Sequence, residues 1–178
     1  LMHFNIPKKY CFIEDFNKNL LIKLNNNIGI IYRNYISKKK YEDLIHLKQF
    51  CKKRKLKLFL ANDYKLAIKL ELDGVYIPSF NKSLRVNSYI KKKKFLILGS
   101  AHNLKEINIK ENQNVNLIFL SPIFYVSKSK NFLGINKFNN LEKLTKKKVI
   151  ALGGLKKSNL KKLKLTNSFG FASISYFR

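Results

Sequence analysis

Arg33 stands where the apolar run IGIIY stops, and Asn62-Asp63 stands where KLFLA stops. A guanidinium at such a place either clamps a phosphate through parallel hydrogen bonds or takes Glu14 or Asp15 as a structural partner. Asp63 likewise has two uses. It is a hard ligand for Mg2+, which favours one or two carboxylates plus substrate phosphates, or it is the N-cap of the stretch YKLAIKLEL. Gly153-Gly154 follows VIAL and precedes a basic segment. Backbone N–H groups at a helix start, with no side chain in the way, make a phosphate cradle; the plainer reading is a tight turn. Ser173 and Ser175 in FASIS bring small hydroxyls beside it. Ser100 and His102 follow FLILG, where the histidine is either an acid–base group or a packing and capping residue. No Ser-His-Asp order, GxGxxG motif or metal-spaced Cys/His cluster is present.

The elements that must position these residues are short apolar runs, at 10–15, 28–33, 57–62, 74–78, 95–100, 116–122, 149–154 and 169–175. Each is rich in β-branched and aromatic residues and nearly continuously apolar, the pattern of strands buried on both faces of a parallel sheet. Basic segments with helical spacing lie between them. YEDLIHLKQFCKKRK places Leu44, Leu47, Phe50 and Cys51 on one stripe, and SNLKKLKL pairs Leu160 with Leu163 behind Ser158 as N-cap. Eight strands with intervening helices predict a compact (β/α)8 TIM barrel, with a doubly wound open sheet as the alternative. The last strand ends close to Arg178, so the final helix is expected to be absent. A homodimer contact would cover the strip this exposes. In either architecture the strand C-termini gather the polar residues at one rim: Glu14-Asp15, Arg33-Asn34, Asn62-Asp63, Pro78-Ser79, Ser100, Ser121-Pro122, Gly153-Gly154 and Ser173 with Ser175.

The 178 residues suit a single domain over 1–178, and an apolar share of 46% fits a packed core. No apolar run approaches the roughly 18–20 residues that span a bilayer, so no membrane association is expected. The N-terminus has no long apolar core or small-residue cleavage site, and two cysteines do not make a disulfide framework; a cytoplasmic setting is expected. The net charge of +27 is extreme. Its lysine clusters alternate with apolar runs, which reads as a solvated outer shell that draws in phosphorylated ligands. Basic residues are not interleaved with aromatics that stack bases, so nucleic acid is not the expected partner, and a polyanion-binding role is the remote alternative.

In order, IIYR, LANDYKLAIKLELDGVYI, ILGSAHNLKEI, LSPIF, VIALGGL and FGFASIS resemble the motifs of the thiamine-phosphate synthase and TenI family over almost the whole chain. The resemblance implies a TIM barrel that couples an aminopyrimidine methyl diphosphate to a thiazole phosphate with release of diphosphate, using Mg2+. It implies that Arg33 and Asn62 meet the diphosphate, that Asp63 holds the metal and that Ser100 approaches the pyrimidine. Gly153, Gly154, Ser173 and Ser175 would hold the thiazole phosphate. The family's second metal carboxylate aligns with Asn81, which carries a carbonyl donor and no charge. Ile31 and Tyr35 stand where the family has glutamine and lysine, and YVSKSKNFLG replaces its Thr-x-Thr-Lys loop, with Ser127, Lys128, Ser129 and Lys130 as substitutes. The turn IPS is closer to the TenI branch, whose tautomerising members use a histidine where this chain has Pro122. A TenI-like protein that binds a thiazole phosphate or thiamine phosphate without turnover is the alternative.

Overall fold

A strand apolar at every position serves two cores at once, because successive side chains point to opposite faces. In the computed structural model, which describes residues 6–36, 40–85, 94–127, 129 and 131–177, the apolar runs do this. The strands are β1 (Lys9–Ile13), β2 (Ile28–Tyr32), β3 (Lys57–Ala61), β4 (Gly74–Ile77), β5 (Leu96–Ala101), β6 (Leu117–Leu120), β7 (Lys148–Leu152) and β8 (Gly170–Ser173). They pair in parallel in sequence order, and β8 returns to β1 with Tyr10 opposite Ala172 and Cys11 opposite Ser173. The expected closed (β/α)8 barrel is formed, and every strand C-terminus lies at one mouth.

Alternation divides the apolar residues between barrel interior and outer layer. Tyr10, Phe12, Phe59, Tyr76, Leu98 and Phe119 fill the inside, while Cys11, Ile13, Leu58, Leu60, Ile97 and Leu120 face the helices. Aromatic edges close the interior below the mouth: Phe12 and Tyr76 have ring centroids 5.2 Å apart at 84°, and Tyr76 and Phe119 are 5.4 Å apart at 86°. Such edge-to-face contacts set positive ring edges on negative faces.

The helices are α1 (Lys18–Ile22), α2 (Lys40–Arg54), α3 (Tyr64–Lys69), α4 (Leu104–Asn112) and α5 (Gly134–Glu142). The stripe expected on α2 is the buried one: Leu44, Leu47 and Cys51 are buried and Phe50 packs at the edge. Glu42 and Asp43 in its first turn and Lys52, Lys53 and Arg54 in its last complement the helix dipole. Among the described residues no helix is long and apolar enough to cross a membrane.

After β7 the structure corrects the sequence expectation. The segment read as a helix capped by Ser158 is a 3-10 helix, Leu160–Leu165, preceded by Asn159. The Asn159 side chain turns back instead of capping: it accepts the Lys156 N–H at 2.9 Å and donates to the Gly154 carbonyl at 2.8 Å. A carboxamide donates and accepts at once, which a serine hydroxyl does with shorter reach. After β8 the described chain makes one 3-10 turn, Ser175–Phe177, in place of a final helix. Tyr176 and Phe177 pack their rings on Phe171 at 5.1 and 6.2 Å.

Candidate active site

The polar residues at the strand ends form two groups on one mouth. The first lies over β2 to β5. Arg33 has its guanidinium 5.1 Å from the Phe12 ring centroid and 3.6 Å from the Glu14 carboxylate. Glu14 is thus the partner the sequence left open between Glu14 and Asp15. Glu14 is well exposed and Arg33 partly so, and water screens a contact of this kind, so it orients more than it stabilises. Asn34 ties the same loop down by donating to the Glu14 carbonyl at 2.8 Å.

Asn62 adopts the left-handed conformation, φ 60°, which asparagine tolerates better than most side chains. It leaves β3 with its N–H on the Tyr76 carbonyl at 2.8 Å. Its side-chain oxygen accepts from the Asn81 amide at 2.7 Å. The ends of β3 and β4 are therefore linked, as expected from the spacing of the two apolar runs. The Asn81 oxygen in turn accepts the Ser83 N–H at 3.0 Å. Asp63 caps α3, its Oδ1 accepting the Leu66 N–H at 3.0 Å. The cap uses one acceptor position of a carboxylate that has about four.

Ser100 is buried at the end of β5, beside the Tyr76 side chain. Burial pushes the Tyr76 phenol up to about 12; the neighbouring Ser100 hydroxyl and the Arg33 guanidinium oppose that rise, and Tyr35 adds to it. Tyr76 is the functional candidate that the sequence reading missed, because an aromatic inside an apolar run reads as core. The only available signal was its place two residues before the strand-end proline. Tyr35 and Phe80, from the loops after β2 and β4, meet edge to face at 6.2 Å and stay largely exposed. His102 pairs with Glu106 at 2.8 Å within its own helix start, where Asn103 is the N-cap. It belongs to the capping arrangement.

The second group lies over β6 to β8, around a cavity of about 320 Å³ lined among others by Tyr125, Ser127, Gly153, Gly154, Lys156 and Ser175. Both glycines have positive φ, 93° and 70°. A Cβ on Gly153 would lie 2.7 Å from Pro122 Cβ, and one on Gly154 would lie 2.5 Å from the Tyr125 carbonyl oxygen. The pair is thus a tight turn packed on the loop after β6, and it also lines the cavity. The N–H groups of a regular helix do not follow it directly, contrary to expectation, because Asn159 folds the intervening residues into a turn. Lys156, not singled out in the sequence, supplies a cation there. Ser173 is buried, donating to the Leu155 carbonyl at 3.0 Å and accepting the Tyr176 N–H at 3.1 Å. Ser175 is exposed beside the cavity. Ser127 lines the cavity too, whereas the Ser129 hydroxyl donates within its own loop to the Asn131 carbonyl at 2.9 Å. Lys128 and Lys130 lie outside the described residues.

For Mg2+, the donors on hand are the Asp63 carboxylate and the joined amides of Asn62 and Asn81. Among the described residues no group of three or more His, Cys, Asp or Glu could hold a metal. One carboxylate with neutral amides fits a hydrated Mg2+ that arrives on substrate phosphates, and does not fit a metal retained by protein ligands alone.

The profile of the family described as thiamine monophosphate synthase matches residues 14–177. A putative thiamine-phosphate synthase 2 of Aquifex aeolicus is 31% identical over 132 residues, 71% of this chain and 68% of that protein. The thiamine-phosphate synthase of Pelagibacter ubique is 33% identical over 135 residues, 72% of this chain and 63% of that protein. The solved thiamine phosphate pyrophosphorylase from Pyrococcus furiosus superposes with a TM-score of 0.76 at 17% identity, covering 96% of this chain and 86% of that one. A 2-keto-3-deoxy-6-phosphogluconate aldolase of Zymomonas mobilis shares the barrel at TM-score 0.64 and 10% identity, so the fold alone does not select a chemistry. The ordered strand-end motifs and the match across nearly the whole sequence do select the lineage: the chain belongs to the thiamine monophosphate synthase family, which includes the TenI proteins.

Proposed function

We propose that the chain is a thiamine-phosphate synthase-like transferase, joining an aminopyrimidine methyl diphosphate to a thiazole phosphate with release of diphosphate. The observation that carries this is the division of one mouth into two polar ends. Arg33 with the Asn62–Asn81 pair forms one, and the Gly153-Gly154 cavity with Lys156 and Ser175 forms the other. A diphosphate on one substrate and a monophosphate on the other match two such ends across an aromatic floor.

In the reaction the bond between the pyrimidine methylene and the diphosphate oxygen breaks, and the electron pair leaves on that oxygen. The thiazole nitrogen lone pair forms the new C–N bond, and no proton need be transferred. The Arg33 guanidinium would face the charge that develops on the leaving group. Mg2+, when bound, would add cationic charge there, with Asp63 as its carboxylate ligand and Asn81 as a neutral one. Tyr76 and Ser100, both uncharged at neutral pH, suit the hydrogen-bonding edge of an aminopyrimidine. The glycine turn would admit a phosphate close to the backbone, with Ser175 and Lys156 beside it and Ser173 bracing the turn from beneath. Holding the thiazole against the methylene makes its capture effectively unimolecular.

A second reading, a TenI-like protein that binds thiazole phosphate or thiamine phosphate without turnover, is favoured by the neutral Asn62–Asn81 pair in place of a second carboxylate. Purified protein incubated with Mg2+ and both substrates decides between them. Thiamine phosphate, detected as its fluorescent oxidation product, is the expected outcome. Folded protein that forms none, yet is raised in melting temperature by thiazole phosphate, supports the binding role.

A further inference from the structure

α4 buries two polar side chains where an amphipathic helix ordinarily buries apolar ones. Lys110 and Gln113 are both fully buried, and Lys110 is the only charged residue so placed among those described. The lysine stem crosses the outer face of β5 at Gly99, where an added Cβ would lie 2.9 Å from its Cδ. Its ammonium has three protons and three acceptors: the Pro78 carbonyl at 2.8 Å, the Asn81 carbonyl at 2.8 Å and the Gln113 Oε1 at 2.9 Å. The Gln113 amide completes the arrangement by donating to the Asn81 carbonyl at 3.0 Å and the Ser83 carbonyl at 2.9 Å. An isolated buried ammonium is costly, and full satisfaction of its donors offsets that cost. Burial draws its pKa down to about 8 and Glu106 opposes this, so it remains an ammonium at neutral pH.

All four loop contacts fall on backbone carbonyls of 78–83, the loop that carries Asn81. We propose that Lys110 and Gln113 are positioning residues, fixing this loop and through Asn81 the Asn62 side chain in the arrangement that receives the diphosphate. The inference rests on the synthase-like reading of that end of the mouth. A trans peptide turns its N–H opposite its carbonyl. With the Pro78 and Asn81 carbonyls on the ammonium, the N–H groups of Ser79 and Lys82 face away from it. The clamp therefore sets the peptide planes of a loop whose side chain, asparagine in place of a carboxylate, brings no charge of its own.

The test uses the full chain and two probes, inorganic pyrophosphate with Mg2+ and the thiazole phosphate, each titrated by calorimetry. Lys110→Met keeps the stem and removes the donors. It should weaken pyrophosphate binding by about tenfold or more, the scale of losing charge-assisted hydrogen bonds, while thiazole phosphate binding changes by less than about twofold. Amide exchange across 78–85 should accelerate in the same variant while the barrel strands stay protected. Gln113→Glu retains a partner for Lys110 but turns an oxygen toward two carbonyls, and should give the same selective loss if Lys110→Met does not fold. Unchanged pyrophosphate affinity in a folded variant overturns the proposal, and so does equal weakening of both ligands. Wild-type protein that binds no pyrophosphate overturns the diphosphate reading itself, a failure visible before any variant is compared.

Discussion

At residue scale the sharpest ambiguity is Asp63, whose carboxylate caps α3 and is also the single acidic group of the proposed metal site. Truncation to alanine removes both functions and cannot separate them. Asp63→Ala should lose about 1 kcal/mol of stability, the usual worth of an N-cap. Asp63→Asn keeps a capping oxygen and should stay within a few tenths of a kcal/mol of wild type, because Asn and Asp cap about equally well. If the carboxylate serves the diphosphate end, product formation should fall at least about tenfold in both variants, since each lacks the charge. Urea melts and the fluorescent product assay on the two proteins check this. Activity that follows stability, with Asp63→Asn close to wild type, would make Asp63 a cap and nothing more. The cap was legible in the sequence, because a polar pair after an apolar run announces a strand end and a helix start together. Tyr76 was not: inside GVYI its hydroxyl cannot be distinguished from core until the fold turns it to Ser100 and Arg33.

At the scale of elements, the strands were legible and the segment after β7 was not, for a single physical reason. Burial on both faces leaves a continuous apolar signature, whereas Leu160 and Leu163 at a spacing of three fit an α-helix and a 3-10 helix equally well. The choice was made by Asn159, whose amide straps Lys156 and Gly154 and uses up the residues that would have begun a regular helix. The Gly-Gly turn this strap supports is set by steric closeness as well as by φ. A Cβ on Gly154 would meet the backbone oxygens of Tyr125 and Phe124 at 2.5 and 2.6 Å, and backbone atoms do not move aside as a side chain tip would. Gly154→Ala should therefore destabilise the protein by more than about 1 kcal/mol, beyond the ordinary benefit of replacing glycine at a compatible site. It should also weaken thiazole phosphate binding by displacing the loop after β6. A thermal melt and a titration of the same sample read both effects, and an alanine variant as stable as wild type would show that this loop yields.

On the scale of the whole molecule, the +27 charge and the closed barrel act on different layers. Apart from Lys110, every lysine and arginine whose burial is described is at least partly exposed, so among these the charge sits in the shell, in line with its alternation with apolar runs. The interior is reported by its thiols instead. Cys51 is buried between α2 and the barrel, and burial foremost, with Asp73 adding to it, pushes its thiol from 9.0 up to about 12. A native pKa above the unfolded one means that from about pH 9 to about pH 12 the unfolded chain has released a proton that the native protein keeps. The unfolded state then binds fewer protons, and stability falls as pH rises through that window, while the full contribution is present below it. Urea melts at pH 8 and pH 10 should show a smaller loss for Cys51→Ala than for wild type, the difference isolating this thiol from the titrating lysines. Because the thiolate is the reactive species, iodoacetamide at pH 8 should label Cys51 only after denaturant opens the barrel. Rapid labelling of the native protein would mean that α2 lifts from β3 without global unfolding, and the outer layer would then be a separate unit of stability from the barrel it covers.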